Sequence, residues 1–233
     1  MKLFPSELPA SRGERWSLLR AVLDRWFPSS ASPTGLADAE LVAAEQRLGL
    51  KLPPALWEWY ASFGSGDAVW CVQDRLRRPD ELEVSNGFLL FAVENQTCWY
   101  WGIPLGELQS PDPPVFLSNS SAKAWERESD SVSRFALQYA MLNVKFGDGT
   151  RFTANGPLTS TQRSKIALEY ALLPFGELHT PVFPTRFHGS DEIVVELEGD
   201  AWVWATARDQ ESLIHLDALL TPLGMDWSEF CCD

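Results

Sequence analysis

Glu196 and Glu198, set two residues apart in the string EIVVELE, are a pair of carboxylates whose spacing permits joint chemistry. Strand alternation places both on one face, the arrangement an acid and base pair would need. Adjacent acids on an exposed strand face are ordinarily just solvated, so the pair is read as surface rather than as a catalytic dyad. Ser65 stands in FGSGD, which lacks the G-x-S-x-G context of a nucleophile elbow and reads as a glycine turn. The cysteines Cys71, Cys98, Cys231 and Cys232 form no C-x-x-C pair, and His179, His188 and His215 lie 9 and 27 residues apart, so no metal site is expected. Phosphate loops, dinucleotide fingerprints and calcium loops are missing from the string. The expectation is a chain with no catalytic residues, no cofactor and no enzyme activity. The runs WEW, WYW and WVW contribute to 11 tryptophans, which read first as core packing. Trp99 and Trp101 are singled out as candidate groove-lining anchors for a partner.

Charge narrows the partner classes. The formal net charge is −13, and it is uneven along the chain. Residues 1–80 hold 10 basic and 10 acidic side chains; from Gly189 onward there are 11 acids and one base, Arg208. Such a field repels phosphate backbones and attracts cationic proteins, so a basic protein partner is expected and nucleic acid is not. No run of about 20 apolar residues exists to span a bilayer, and the first residues lack a signal-peptide pattern, so a cytoplasmic location without membrane contact is expected. EIVVELE is predicted to turn Ile193, Val195 and Leu197 inward and to leave Glu192, Val194, Glu196 and Glu198 outward. With Asp191 and Asp200 on the flanks and few local bases, this is the candidate partner-binding face.

These residues must be held by surrounding elements. Trp16, Leu19, Leu23 and Trp26 recur at helical spacing over 12–27, and PSSASPTG follows as a linker, so residues 1–35 read as an amphipathic helix appended to a main domain at 36–233. LADAELVAAEQRLG predicts a helix ending at Gly49, and Pro53 and Pro54 open another carrying Leu56, Trp59, Tyr60 and Phe63 inward. GFLLFAVENQTCWYWGI predicts a hairpin turning at Glu94, Asn95 and Gln96; VFL and AWERES predict short strands; 131–146 predicts a helix. Over 147–180 the pattern predicts GDG and NG turns and a short helix from Lys165 to Leu172. Gly199 and Asp200 turn EIVVELE into AWVWATA, and Asp209 caps a last helix. The fold class is α+β, mainly antiparallel sheet with helices before and after it.

In this order the strings AEQRLG, KLPPALWEWYASFGSG and FLLFAVENQTCWYWGIPL followed by DPPVFL resemble the SUKH superfamily, which includes bacterial immunity proteins and a yeast cell-wall assembly regulator. On the resemblance Glu45, Gly49, Leu52, Pro53, Gly64, Glu94, Asn95 and Trp101 occupy motif positions. It covers about residues 36–223 and implies an α+β domain with one sheet and a face that binds a protein. For bacterial members that partner is commonly a toxin, which the immunity protein neutralises by direct stoichiometric binding. The alternatives are a regulatory or scaffold module of cell-wall or secretion machinery and an enzyme acting on a sugar or peptide.

Overall fold

Ser11 starts the first helix. Its hydroxyl accepts the Glu14 backbone N–H while the Glu14 carboxylate reaches back to the Ser11 N–H, a capping box that opens α1 (Arg12–Trp26). In the computed structural model, residues 3–28, 34–119, 124–147, 152–179 and 183–232 are described. The further helices are α2 (Asp38–Leu48), α3 (Pro54–Phe63), α4 (Asp67–Trp70), α5 (Val132–Asn143), α6 (Ser160–Glu169) and α7 (Gln210–Leu220). Strands β1 (Arg75–Leu76), β2 (Glu83–Ser85), β3 (Phe88–Val93), β4 (Trp99–Pro104), β5 (Val115–Asn119) and β6 (Trp125–Ser129) precede α5. After it come β7 (Phe152–Pro157), β8 (Ala171–Leu172), β9 (Leu178–His179), β10 (Pro184–Gly189), β11 (Ile193–Glu198), β12 (Trp202–Ala207) and β13 (Glu229–Cys231).

The α+β class is as expected, but the single sheet is not. Among the described residues two antiparallel sheets form, one ordered β1-β3-β4-β5-β6 with β2 also on β3, the other β13-β7-β12-β11-β10-β8 with β9 also on β10. The stretch 147–180 hid the start of the second sheet. Asn155 and Gly156, read as a turn, lie inside β7 and pair with Trp204 and Val203. The predicted helix from Lys165 to Leu172 sits earlier, at α6, with Thr159 as its cap, and Ala171 and Leu172 are strand. The GDG turn falls largely on residues outside the described ones.

Two cores result. The larger gathers α1, α2, α3, α5 and the inner face of the first sheet around Trp59, whose ring meets Trp70, Phe91, Phe135 and Tyr139 at centroid distances of 5.4–6.3 Å. The smaller packs one face of the second sheet on α6 and α7. Phe187 and Val194 of the second sheet belong to the larger core, so that sheet is covered on both faces. Rather than an appendage, α1 is an integral wall of the larger core, burying Leu18, Leu19, Val22, Leu23 and Trp26. A polar knot fastens it: Arg15 Nη2 donates to Asp112 Oδ2 at 2.9 Å, and Asp112 Oδ1 accepts the Ser133 N–H that opens α5.

The motif residues around the Leu-Pro step are structural. Gly49 ends α2 with φ +67°, a left-handed conformation that favours glycine. Glu45 is buried; its Oε1 accepts the Leu52 N–H at 2.9 Å and its Oε2 the Lys51 ammonium at 2.5 Å, tying α2 to the chain that enters α3. Leu52 and Pro53 are buried beside it, and Gly64 caps α3 where a Cβ would meet the Tyr60 carbonyl at 2.6 Å.

Candidate functional site

The acidic strand face that the sequence suggested is only partly open: Glu196 is buried, whereas the Glu192 and Asp200 side chains keep 44% and 89% of their surface exposed. In β11, Ile193, Val195 and Leu197 do face α6 and α7, but the other row is covered as well: Val194 is in the larger core and Glu196 is only 3% exposed. Alternation sorted the residues correctly by face; Val194 and Glu196 are not solvated because a second layer covers that part of the supposed solvent side. The expected shortage of bases is also corrected, since the cations come from distant segments. Glu192 pairs with Arg25 and lies 3.8 Å from Arg208, and Asp200 pairs with Arg163. Lys145 Nζ sits 2.9 and 3.0 Å from the two Glu196 oxygens. Asp191 accepts the Leu3 and Phe4 backbone N–H groups and so holds down the N-terminal segment. Glu196 and Glu198 are therefore not a pair of free carboxylates.

Trp101 leaves the candidate set too. It is 1% exposed and packs on Phe135 and Tyr139 as part of the larger core. Two residues earlier on the same strand face, Trp99 reaches the rim of that core and stays partly exposed. It borders a cleft of about 610 Å³ that the β3–β4 turn, the end of α5 and the second sheet enclose together.

Three elements supply the cleft's chemistry. From the β3–β4 side come Glu94, Gln96, Cys98 and Trp99, with Gln73 and Asp74 just ahead of β1; from the end of α5 come Leu142, Asn143, Lys145 and Phe146; from the second sheet come Glu196, Glu198 and Trp204. Register explains the last group: Glu196 pairs with Trp204 and Glu198 with Trp202 across β11 and β12, so both rings share a sheet face with both glutamates. Glu94 Oε2 accepts the Cys98 N–H at 3.1 Å, closing its turn, and Asn95 donates its backbone N–H to Asp74 Oδ1 at 3.3 Å. Glu198 Oε2 accepts the Trp204 indole N–H at 3.1 Å. Lys145 Nζ stands 4.9 Å from the Trp204 ring centroid and 5.6 Å from that of Phe146.

Electrostatics mark the same place. Burial pushes the Asp74 carboxyl up to about 6, against the hydrogen bond from Asn95; Glu94 adds to the rise and Lys145 offsets part of it. Burial also raises Glu196, and its contact with Lys145 only partly opposes this. Asn143 is 2% exposed and its Nδ2 has no hydrogen-bond partner among the described residues. No group of three or more His, Cys, Asp or Glu is placed to hold a metal ion among the described residues, and there no helix is long and apolar enough to cross a membrane.

Of the residues singled out in the sequence, Glu94, Trp99, Glu196 and Glu198 line this cleft, and the exposed Asn95 bonds its Asp74; Asp191, Glu192, Asp200 and Trp101 lie outside it. Asp74, Asn143, Lys145 and Trp204 were missed. Only Lys145 carried a signal, as a lone base closing the apolar stretch ALQYAMLNVKF. No family model matches the chain, and comparison with curated proteins and with solved structures finds no match.

Proposed function

We propose that this is a non-catalytic binding domain that captures a basic protein in the cleft between its two sheets, in the manner of an immunity protein that neutralises a bacterial toxin stoichiometrically. The observation that carries the reading is the charge of the cleft. Asp74, Glu94 and Glu198 converge there without an ion-pair partner among the described residues, while the one amine lining it, Lys145, is held by Glu196. Carboxylates beside partly exposed indole rings suit a cationic protein surface, where charge speeds encounter and aromatic contact slows release. The resemblance to immunity proteins supplies the biological class, and the overall net charge of −13 points the same way.

Co-expression with the product of the adjacent reading frame, scored for growth and co-purification, tests this. Rescue of growth with a one-to-one complex is expected. Association should slow about tenfold at low ionic strength in the triple variant Asp74→Asn, Glu94→Gln, Glu198→Gln, and lose much of its salt dependence. A harmless neighbour that does not bind removes the immunity reading, and an unchanged association rate places the binding surface elsewhere.

A further inference from the structure

We infer that the cleft reads an arginine on an extended segment of the partner, with an apolar side chain of that segment seated on the adjoining shelf of Phe183, Trp202 and Trp204. This rests on the protein-binding reading above and names what the partner must present. The cleft already shows how it holds a cation, because Lys145 sits between the Glu196 carboxylate and the face of Trp204. Beside this resident cation, Asp74, Glu94 and Glu198 each spend one oxygen on an N–H of the chain, from Asn95, Cys98 and Trp204 respectively. Their remaining oxygens are without a donor among the described residues.

The chemistry of a ligand for this hollow follows from what lines it. They line one hollow, yet no three ligating groups among the described residues come close enough together for a metal ion. A guanidinium suits a lining of carboxylates and indole rings: it is planar, presents five N–H donors that can engage separate carboxylates, and stacks on indole. The second observation is Asn143, a buried residue of the cleft lining whose Nδ2 has no partner among the described residues. That donor calls for an acceptor, which a peptide carbonyl supplies and a free amine or metal ion does not. Neutral sugars also stack on indole, but they would leave three carboxylates uncompensated.

The shelf is continuous with the cleft. A hollow of about 640 Å³ shares Glu198 and Trp204 with it and runs over Phe183, Pro184 and Trp202 at the β11–β12 turn. Phe183 is 48% exposed, so an apolar side chain arriving there covers surface now in water.

Two capped peptides test the inference on the full chain by calorimetry and tryptophan fluorescence: one with arginine followed by serine and leucine, the other with citrulline in place of arginine. Citrulline keeps the shape and removes the charge. The arginine peptide should bind at least about tenfold tighter, and Glu94→Gln with Glu198→Gln should abolish the difference. Glutamine keeps an oxygen for the Cys98 and Trp204 N–H groups, and an unchanged denaturation midpoint would show that the variant is folded. Changing the leucine to serine should weaken binding about fivefold. Equal binding of the two peptides, a difference that survives the double variant, or a neutral oligosaccharide that occupies the cleft with the arginine peptide unable to displace it would overturn the inference. Co-expression separates the two proposals. Rescue that the double variant retains removes the cleft and keeps the immunity reading; peptide discrimination without rescue does the reverse.

Discussion

Asp74 shows how a single side chain can carry a cost that its surroundings impose. Its folded carboxyl is raised from an ordinary 3.8 to about 6, first by burial, so the ionised form is less favourable in the fold than in the unfolded chain. For an acid shifted in this direction, stability is greatest below the unfolded value and falls as pH rises between about 4 and about 6. Asp74→Asn keeps an oxygen for the Asn95 N–H and removes the charge. Urea denaturation should therefore find the variant more stable by about 1–2 kcal/mol at pH 7 and level with the parent at pH 4. An equal gain at both pH values would mean that ionisation is not the cause. A cationic side chain bound as proposed would compensate the same charge, so the gain from Asp74→Asn should shrink when the arginine peptide is present. Trp99 and Trp101 make the complementary point, because neighbouring positions on one face of β4 divide into a cleft wall and a core residue.

At the scale of elements, the turn from α2 into α3 depends on one buried acceptor. Glu45 holds the Leu52 N–H inside and the Lys51 ammonium outside, the lysine side chain being 80% exposed. The two bonds should differ greatly in worth. Glu45→Ala leaves a buried N–H unsatisfied and should cost about 1–3 kcal/mol, whereas Lys51→Ala removes a solvated ion pair and should cost no more than about 0.5 kcal/mol. Chemical denaturation of both variants compares them directly, and equal losses would assign the effect to the ion pair instead. Here the string AEQRLGLKLPP marked the elements correctly, since helix end, breaker and helix start are local signals. That Glu45 faces inward rather than toward solvent is not local, because it depends on the chain folding back beneath its carboxylate.

For the molecule as a whole, the two sheets are joined through shared burial. Leu173, Phe175, Leu178, Phe187 and Val194 from the second half lie in the same core as α1, α3 and α5, and Lys145 reaches across to Glu196. Unfolding should thus be a single cooperative event. Tryptophan fluorescence and far-UV circular dichroism should give coincident transitions, with residues 1–147 alone failing to fold. Separate midpoints, or a folded fragment, would show that the halves close independently.

The sequence by itself determined the α+β class, the placement of α1, α2, α3, α5 and α7, both hairpins and the inward face of β11, all of which rest on periodicities and breakers within a few residues. It did not determine that there are two sheets, because β7 carries an Asn-Gly pair that looks like a turn and is strand only by virtue of its neighbours β12 and β13. Nor did it determine which acids keep their charge facing open space. Glu192, Glu196 and Asp200 looked unpaired along the chain, but Arg25, Lys145 and Arg163 reach them from 167, 51 and 37 residues away. Charge compensation acts through distance in space, and only the tertiary structure sets that distance; it is why Asp74 and Glu94, from a different sheet, join Glu198 as the acids of the cleft.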